Sequence, residues 1–418
     1  MVLMLSVCHA APAAATTVGG SSVSALGGFV LSKGQLRLPA YSSVYRGEEF
    51  EPALDTTSEV GVESFGPGAR GWSSLALEDS SEPNFVGGVP AIAASATAIA
   101  AAWVSGSRLL SEQLGGSAAG PPTTHPTQGK VGAFDIALGP GGARAVSWSD
   151  DSGTQIQVVS ALGVSSPPAQ VSPTTAAAVT VTADGAGGWW VVTLAARELT
   201  AIDMSEAGFA GPPLPLPYTA RARPPSHLLA QRSWLAIADG RGGLWIGLPH
   251  ALIHATATGQ VRTVARTGLV ALASGDDVSA LVEESGRAVV VRTVGASLGP
   301  PIRLPDAGVV IDVAFDAARK VIVLLTGEGA GGVVALREIS TSGHVRRSQA
   351  LPECRGRQYG QVEASGGLIA VSCTGARSET ENAGCGGCSR DGRTNRYILL
   401  RGGRELGSHS YFEGSEGF

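Results

Sequence analysis

Short apolar runs separated by glycine turns recur along the chain, and the two clearest examples align residue for residue. In each, an apolar run is followed by an Asp-Gly turn and then by a segment rich in Trp and β-branched residues; the two stretches are residues 178–191 and 233–246. Asp-Gly supplies the positive φ angles of a tight turn, and Trp and β-branched residues favour strands. No window of about a dozen residues has a convincing helical period, so the pattern predicts an all-β protein.

Weaker copies of the second strand give the chain an internal period. Together with the two clear copies, they start at residues 97, 144, 188, 243, 278, 320 and 367. The spacing averages about 45 residues, which is the length of a four-stranded propeller blade, and the glycine, proline and strand content excludes helical repeats of that length. The sequence therefore predicts a β-propeller at residues 86–405, with seven four-stranded blades or, as the alternative, six.

The regions around these repeats are less regular. Residues 28–31 and 35–38 predict one hairpin in an N-terminal extension at 18–85, and the acidic segment 48–71 is expected to be a long loop or part of the strand that closes the ring. Residues 406–418 are expected to form a C-terminal tail. Because proline cannot donate to a sheet ladder, proline pairs are expected at the connections between blades. These pairs are Pro121-Pro122, Pro167-Pro168, Pro212-Pro213, Pro224-Pro225 and Pro300-Pro301.

Composition agrees with a folded chain of many short elements and removes several function classes. Of 418 residues, 44% are apolar, 16% are charged and 58 are glycine. With 30 basic and 35 acidic residues, the formal net charge is −5, so the basic surface that binds nucleic acid is not indicated. The most apolar stretch, residues 89–104, contains Pro, Ser and Thr and is built mostly from alanine, so no integral membrane span is predicted. A monomer is expected.

The first residues predict export. Residues 2–7 are apolar and Ala11-Pro12-Ala13 has the small-residue pattern of a signal-peptidase site, so residues 1–17 are predicted to be a signal peptide. The protein is then expected to be secreted or held in the cell envelope. A basic residue before the apolar run is missing, which a mis-assigned start codon would explain. Two alternatives stay open: lipidation at Cys8, which Val7 disfavours, and a disordered N-terminus.

The tryptophans fall on the repeated strands. Their predicted role is packing between neighbouring blades, and the alternative is an aromatic platform for a ligand. The residues concerned are Trp103, Trp148, Trp189, Trp190, Trp234 and Trp245.

One predicted blade resembles a known group of propellers. Residues 239–247, followed by Ala251-Leu252-Ile253 and Thr258-Gly259-Gln260-Val261, are similar to a blade of the virginiamycin B lyase-like and sensor-type propellers. The similarity is close for about 30 residues, fair over 178–203 and weak elsewhere. It implies the propeller architecture and, for the lyases, a His and Glu pair near the channel, but the fold does not by itself carry an activity over.

Four cysteines lie within 35 residues of one another: Cys354, Cys373, Cys385 and Cys388. In an exported chain they predict two disulfides that fix the last blade and its loop. Of the three possible pairings, Cys354–Cys373 and Cys385–Cys388 are the expected ones. The alternatives are a structural zinc site, although only one pair is closely spaced, and free or redox-active thiols, although no helix follows the Cys-Gly-Gly-Cys segment.

Histidine and acidic residues do not form a recognisable site. Only His250 and His254 are four residues apart, and the Glu that a zinc hydrolase would need is not between them, so a metal or catalytic role is a minor alternative for this pair. Asp150-Asp151 and Asp276-Asp277 fall at predicted turns and lack the alternating oxygen donors of a calcium loop. A phosphate-cradling loop and a nucleophile elbow are not found. No catalytic residue, metal or cofactor is assigned.

The predicted function is that of a secreted binding or scaffolding propeller with an unidentified protein or carbohydrate ligand at the channel mouth. The alternative is a propeller lyase or hydrolase with a metal-assisted His/Glu site at the same place. A cluster of His, Glu or Asp at the mouth would favour the enzyme, whereas a mouth lined by Ala, Gly and Ser would favour binding.

Overall fold

The computed structural model describes most of the chain, in segments separated by short gaps. These are residues 19–26, 28–47, 55–80, 89–95, 98–114, 121–195, 198–205, 207–217, 235–248, 251–265, 269–273, 279–285, 288–294, 297–305, 307–327, 332–354, 359–374 and 389–417. Several predictions lie outside the described residues, namely those for the signal peptide at 1–17 and for Pro224-Pro225, Trp234, His250, Asp276-Asp277, Cys385 and Cys388.

The N-terminal region has five strands rather than the single expected hairpin. They are β1 (Gly19–Leu26), β2 (Val30–Ser32), β3 (Gln35–Gly47), β4 (Asp55–Phe65) and β5 (Ser73–Ser80). The turn between β2 and β3 places Lys33 and Gly34 at positive φ, which confirms the hairpin at 28–38. Strand β4 occupies much of the acidic segment that was expected to be a loop or a closing strand. We refer to β2–β5 as the N-terminal unit.

The first three blades are separate four-stranded antiparallel sheets. Blade one comprises β6 (Ala91–Ala94), β7 (Ile99–Ser105), β8 (Arg108–Leu114) and β9 (Thr123–His125). Blade two comprises β10 (Ala133–Leu138), β11 (Arg144–Asp150), β12 (Gly153–Val159) and β13 (Ala169–Ser172). Blade three comprises β14 (Ala178–Ala183), β15 (Trp189–Ala195), β16 (Glu198–Met204) and β17 (Leu214–Leu216).

The next three blades repeat the same strand order. Blade four comprises β18 (Leu235–Ala238), β19 (Leu244–Leu248), β20 (Ala251–Ala255) and β21 (Val261–Ala265). Blade five comprises β22 (Leu269–Ala273), β23 (Ser279–Ser285), β24 (Ala288–Val294) and β25 (Ile302–Pro305). Blade six comprises β26 (Val309–Asp316), β27 (Val321–Gly327), β28 (Val334–Ser340) and β29 (Val345–Leu351).

Blade seven is continuous with the N-terminal strands. It comprises β30 (Tyr359–Ser365), β31 (Leu368–Thr374), β32 (Ser389–Arg401) and β33 (Arg404–Gly417). Strand β1 pairs with both β33 and β3, which joins blade seven and the N-terminal unit into one nine-stranded sheet. The residues expected as a C-terminal tail therefore form most of β33. The only helical elements among the described residues are 3-10 turns at Pro140–Gly142 and Pro352–Cys354.

The blades are arranged as a propeller, because the first strand of each blade contacts the first strand of the next. The prediction of an all-β propeller with seven four-stranded blades is confirmed. Strand β2 contacts both β30 and β6, so the N-terminal unit lies in the ring between blade seven and blade one. Within the described residues, no helix is long and apolar enough to cross a bilayer.

The seven repeat positions found in the sequence all mark the second strand of a blade. These strands are β7, β11, β15, β19, β23, β27 and β31, and each starts within two residues of its predicted position. They repeat most clearly because second strands are covered by a neighbouring strand on both edges and by a neighbouring blade on both faces, which restricts them to apolar residues. Strand β27, for example, is buried along its whole length.

The tryptophans pack between blades, as predicted. Trp148 packs against residues of blade one, Trp189 against residues of blade two, and Trp190 against residues of blade four. All five described tryptophans on the repeated strands are at most 2% exposed. A fully buried indole cannot serve as a platform for a ligand, so that alternative is wrong for these five.

The prediction for the proline pairs is wrong at the four described positions. Instead of connecting blades, each pair lies within a blade, between its third and fourth strands. The fourth strand is the outer edge of the blade and has a ladder partner on only one side, so the segment leading into it tolerates residues that cannot donate. The four pairs are Pro121-Pro122, Pro167-Pro168, Pro212-Pro213 and Pro300-Pro301.

Candidate functional site

The first strands of the blades surround the central channel, and several of them carry small or apolar side chains. Strand β6 reads Ala-Ile-Ala-Ala, β14 reads Ala-Val-Thr-Val-Thr-Ala and β18 reads Leu-Ala-Ile-Ala. These three strands offer no group that titrates near neutral pH. Polar chemistry in the channel comes from other blades.

Two carboxyl groups lie close together on the first strands of blades six and seven. Asp312 on β26 is 6% exposed, and its Oδ2 atom accepts a hydrogen bond of 2.7 Å from the amide of Val362 on β30. Burial raises the pKa of Asp312 well above its ordinary value, and the neighbouring Glu363 raises it further. Burial also raises the pKa of Glu363 to about 7. This pair, which we call the channel acid pair, therefore holds a carboxyl that titrates near neutrality.

Part of this polarity is structural, because side chains on first strands bind the backbone of the next blade. Asp135 on β10 accepts a hydrogen bond of 3.1 Å from the amide of Val181 on β14. Gln361 on β30 exchanges hydrogen bonds with the backbone of Phe29 in the N-terminal unit, at 3.2 and 2.9 Å. Asp312 makes the same kind of contact. Glu363, by contrast, has a weak 3.4 Å contact with Gln361 and makes no bond to a neighbouring blade among the residues that the structure describes.

The repeated Asp-Gly turns of blades three and four have the same geometry. The Oδ1 atom of Asp184 accepts hydrogen bonds from the amides of Ala186 and Gly188, at 2.7 and 2.8 Å. The turn of blade four repeats this with Asp239 as the acceptor and the same two distances. The two turns also contact each other, because the amide of Gly242 donates to the carbonyl of Asp184 at 3.3 Å. The Trp190 indole, on the strand after the first turn, donates to the Gly242 carbonyl at 3.0 Å. The sequence repeat thus encodes a side-chain cap that closes each turn.

His254 has a structural role in blade four. Its Nε2 atom lies 2.9 Å from Oδ2 of Asp239, and both residues are buried. The imidazole stacks on the Trp245 indole with ring centroids 4.1 Å apart. A side chain with these contacts is fully engaged in packing, so His254 is not available as a metal ligand or catalytic base.

The other described histidines are also away from the first strands. His125 lies on the fourth strand of blade one between the side chains of Ser111 and Gln157, at 2.8 and 2.7 Å. Burial lowers its pKa to about 4, so it stays neutral at physiological pH. His344 lies in the turn before β29 and His409 lies on β33. The His and Glu pair implied by the lyase resemblance is not formed by these residues.

Asp150 confirms the prediction of turn chemistry. Burial alone would raise its pKa, but hydrogen bonds from Ser152, from the Gln128 amide and from the Trp148 indole lower it. Within the described part of the chain, no group of three or more His, Cys, Asp or Glu side chains is arranged to hold a metal ion.

The structure brings one of the two expected cysteine pairs together. The sulfur atoms of Cys354 and Cys373 are in disulfide contact, and their Cα atoms are 5.5 Å apart, as in ordinary disulfides. Cys354 lies in the 3-10 turn that follows blade six, and Cys373 lies on β31, so the contact ties the segment after blade six to blade seven. Cys385 and Cys388 lie outside the described residues, and their pairing stays a prediction.

Sequence analysis missed the channel acid pair. Asp312 interrupts the apolar run Val-Val-Ile-Asp-Val-Ala-Phe, and Glu363 falls in a polar segment that has no motif. An acidic residue inside an otherwise apolar strand is unusual and could have indicated a functional position. That the two residues are neighbours, however, follows only from the arrangement of the blades in the ring.

Comparisons with known proteins give similar folds only. No family model and no curated protein matches the chain. Similar solved structures include apo AztD from Citrobacter koseri, with 11% identity, coverage of 96% of this chain and 99% of that chain, and a TM-score of 0.46. The acylaminoacyl peptidase of Pyrococcus horikoshii has 9% identity, with 92% of this chain and 52% of that chain covered and a TM-score of 0.45. A eukaryotic initiation factor has 10% identity, 80% and 96% coverage and a TM-score of 0.46. These values carry no argument about function.

Proposed function

We propose that this protein is an exported binding or scaffolding propeller whose ligand contacts the channel at blades six and seven. The observation that carries the proposal is the channel acid pair, Asp312 and Glu363, on a channel whose other first strands include long stretches of small and apolar residues. Within the described ranges, Glu363 has no bond to a neighbouring blade, which leaves its carboxyl for a ligand. A concave, mostly apolar surface with few convergent polar groups is typical of binding sites.

Export is supported by the contact between Cys354 and Cys373, because disulfides persist in oxidising compartments. The test is a count of reactive thiols on denatured, unreduced protein purified from its native compartment. We expect Cys354 and Cys373 to be unreactive until a reductant is added. Reaction of both thiols without reductant would contradict the proposed compartment.

The ligand proposal is tested with the purified full chain on an array of oligosaccharides and a matched array of peptides. We expect binding to members of one array, and we expect Glu363→Gln to abolish most of it, because this change keeps the size of the side chain and removes its ionisation. Glu198→Gln, at the exposed start of β16, is the matched control and should bind like the wild type. Equal binding by wild type and Glu363→Gln would contradict a channel site at blades six and seven.

A propeller lyase or hydrolase is the second candidate, and one observation favours it. A carboxyl with a pKa of about 7 beside a second carboxyl has the protonation behaviour of a general acid–base. The test is turnover of chromogenic esters, amides and glycosides, with and without added divalent metal ions. Turnover that Glu363→Gln abolishes and Glu198→Gln retains would replace the binding proposal with an enzymatic one.

A further inference from the structure

Blades three and four place different side chains against equivalent carboxylates. In both turns, Oδ1 of the capping aspartate is used by two backbone amides, and Oδ2 is left for another partner. In blade four that partner is Nε2 of His254, on the strand position paired with Trp245. In blade three, the position paired with Trp190 is Asp203. A carboxylate thus lies where blade four has an imidazole.

The blade-three carboxylates face each other without a counter-charge among the described residues. Asp184 is 7% exposed, and its Oδ2 atom has no hydrogen-bond partner in the described part of the chain. Burial raises the pKa of Asp203, and the negative charge of Asp184 raises it further. The side chain of Asp184 is held in place by the two amides at Oδ1, so Oδ2 can accept a hydrogen bond from a donor or a cation that enters from solvent.

A pocket lies at this oxygen. Its volume is about 460 Å³, and its lining includes Asp184, Asp203, Met204 and Phe209. The Phe209 ring is 76% exposed, which is unusual for a large apolar side chain. The pocket therefore combines two carboxyl groups with the exposed Phe209 ring beside them. Blade four has no corresponding space at Oδ2, because His254 fills it.

The donor set fits an organic cation better than a metal ion. Calcium takes six to eight oxygen ligands, and the pocket offers two carboxylates. An ammonium or guanidinium group needs only a few acceptors, and its aliphatic stem would pack against the exposed Phe209 ring. Blade four supplies an internal precedent, since the equivalent oxygen there accepts a nitrogen-bound proton.

We propose that the blade-three pocket binds an organic cation, an ammonium or guanidinium group on an aliphatic stem, in the place that the His254 imidazole takes in blade four. The cation bridges Asp184 Oδ2 and the Asp203 carboxylate. Two sources have this chemistry: the side chain of Lys or Arg on a partner protein, and a free aliphatic amine. This site is separate from the channel acid pair, so it goes beyond the function proposed above.

The test is calorimetric titration of the purified full chain with butylammonium, with butylguanidinium, and with a short peptide containing one Lys, in cacodylate buffer, which contains neither amines nor phosphate. Butanol, which has the stem without the charge, and calcium chloride are the comparison ligands. We expect the three cations to bind and butanol to give no signal. Tighter binding of the peptide would identify a protein partner, and equal binding of butylammonium would identify a free amine.

Two variants at one position make the test specific. Asp203→Asn should weaken cation binding about tenfold or more, because a charge-assisted hydrogen bond is lost. Asp203→His should abolish binding, because it places a histidine beside Asp184, as in blade four.

Glu198→Gln, on the same strand, is the control and should bind like the wild type. The proposal is overturned if the cations fail to bind, if Asp203→Asn binds them normally, or if only calcium binds in an Asp203-dependent way. Channel variants should leave these titrations unchanged, so failure here is distinguishable from failure of the channel site.

Discussion

Blades three and four share a turn, a buried tryptophan and a capping aspartate, yet they use the free oxygen of that aspartate in different ways. In blade four, Asp239 and His254 form a closed pair covered by Trp245. In blade three, Asp184 faces a second carboxyl and a pocket. Two repeats with the same turn can therefore differ in whether the last polar contact is made inside the chain or left for another molecule. The difference depends on one side chain.

The largest effect is expected from removing the two capping aspartates separately. Asp239→Ala breaks two amide contacts and leaves a buried histidine without its partner, so we expect a loss of about 3–5 kcal/mol in the free energy of unfolding. Asp184→Ala breaks the equivalent amide contacts but also removes a repulsion, so we expect a loss of only about 1–2 kcal/mol. Chemical denaturation of both variants measures the difference. Equal losses would mean that the Asp239–His254 pair contributes no stability beyond that of the turn itself.

A smaller effect is expected from giving blade four the blade-three arrangement. His254→Asp places a second carboxyl beside Asp239 and removes the ring that stacks on Trp245, so we expect about 2–3 kcal/mol of destabilisation. His254→Asn is the matched control, because an amide can still donate to Asp239, and it should lose less. The comparison fails if the two variants unfold at the same denaturant concentration.

The reverse substitution should stabilise the protein. Asp203→His gives Asp184 a donor and relieves the repulsion between the carboxyls, for an expected gain of about 1 kcal/mol. Thermal unfolding should move upward by roughly 2 °C, since the shift per kcal/mol becomes smaller in larger proteins. A lower melting temperature would show that the two blades differ in more than this one position.

The smallest effect is in the pH dependence of stability. Because the pKa of Asp203 is higher in the folded protein than in the unfolded chain, the folded protein binds more protons between the two values, and its stability falls as the pH rises through that interval. Asp312 and Glu363 act in the same direction, whereas His125, with its pKa of about 4, acts in the opposite one. Asp203→Asn should therefore lose less stability than the wild type as the pH is raised above 4. Parallel curves for the two proteins would contradict this.

The sequence predicted the parts of this comparison that repeat, and it missed the part that differs. The Asp-Gly turns and the strand after each are local, so residues 183–191 and 238–246 could be aligned directly. Asp203 and His254 could not be matched, because Asp203 is 13 positions after Trp190 whereas His254 is 9 positions after Trp245. The extra residues lengthen the hairpin of blade three, and the equivalence appears only through strand pairing.

The same limit explains the proline pairs and the N-terminal region. A proline pair indicates that a segment is not part of a central strand. It does not show whether the segment connects two blades or leads into the edge strand of one blade. The N-terminal strands lack the apolar second-strand pattern, because β3 and β4 are partly polar where they extend along the nine-stranded sheet. Their position in the ring depends on contacts with β30 and β6, which are remote in sequence.

The strand β1 has a consequence for the order in which the molecule can be completed. Its residues Ser21–Ser24 pair with Gly414–Gly417 of β33, so the seam of the ring joins segments from opposite ends of the described chain. Individual blades are built from neighbouring hairpins and can form as they are synthesised, but this seam has to wait for almost the whole polypeptide. Until then, β1 can pair with β3, which is close in sequence, but its other edge stays unpaired. Closure is therefore a late event, and bringing the two ends together costs chain entropy. A chain interrupted before β33 would keep an open edge that is prone to aggregation.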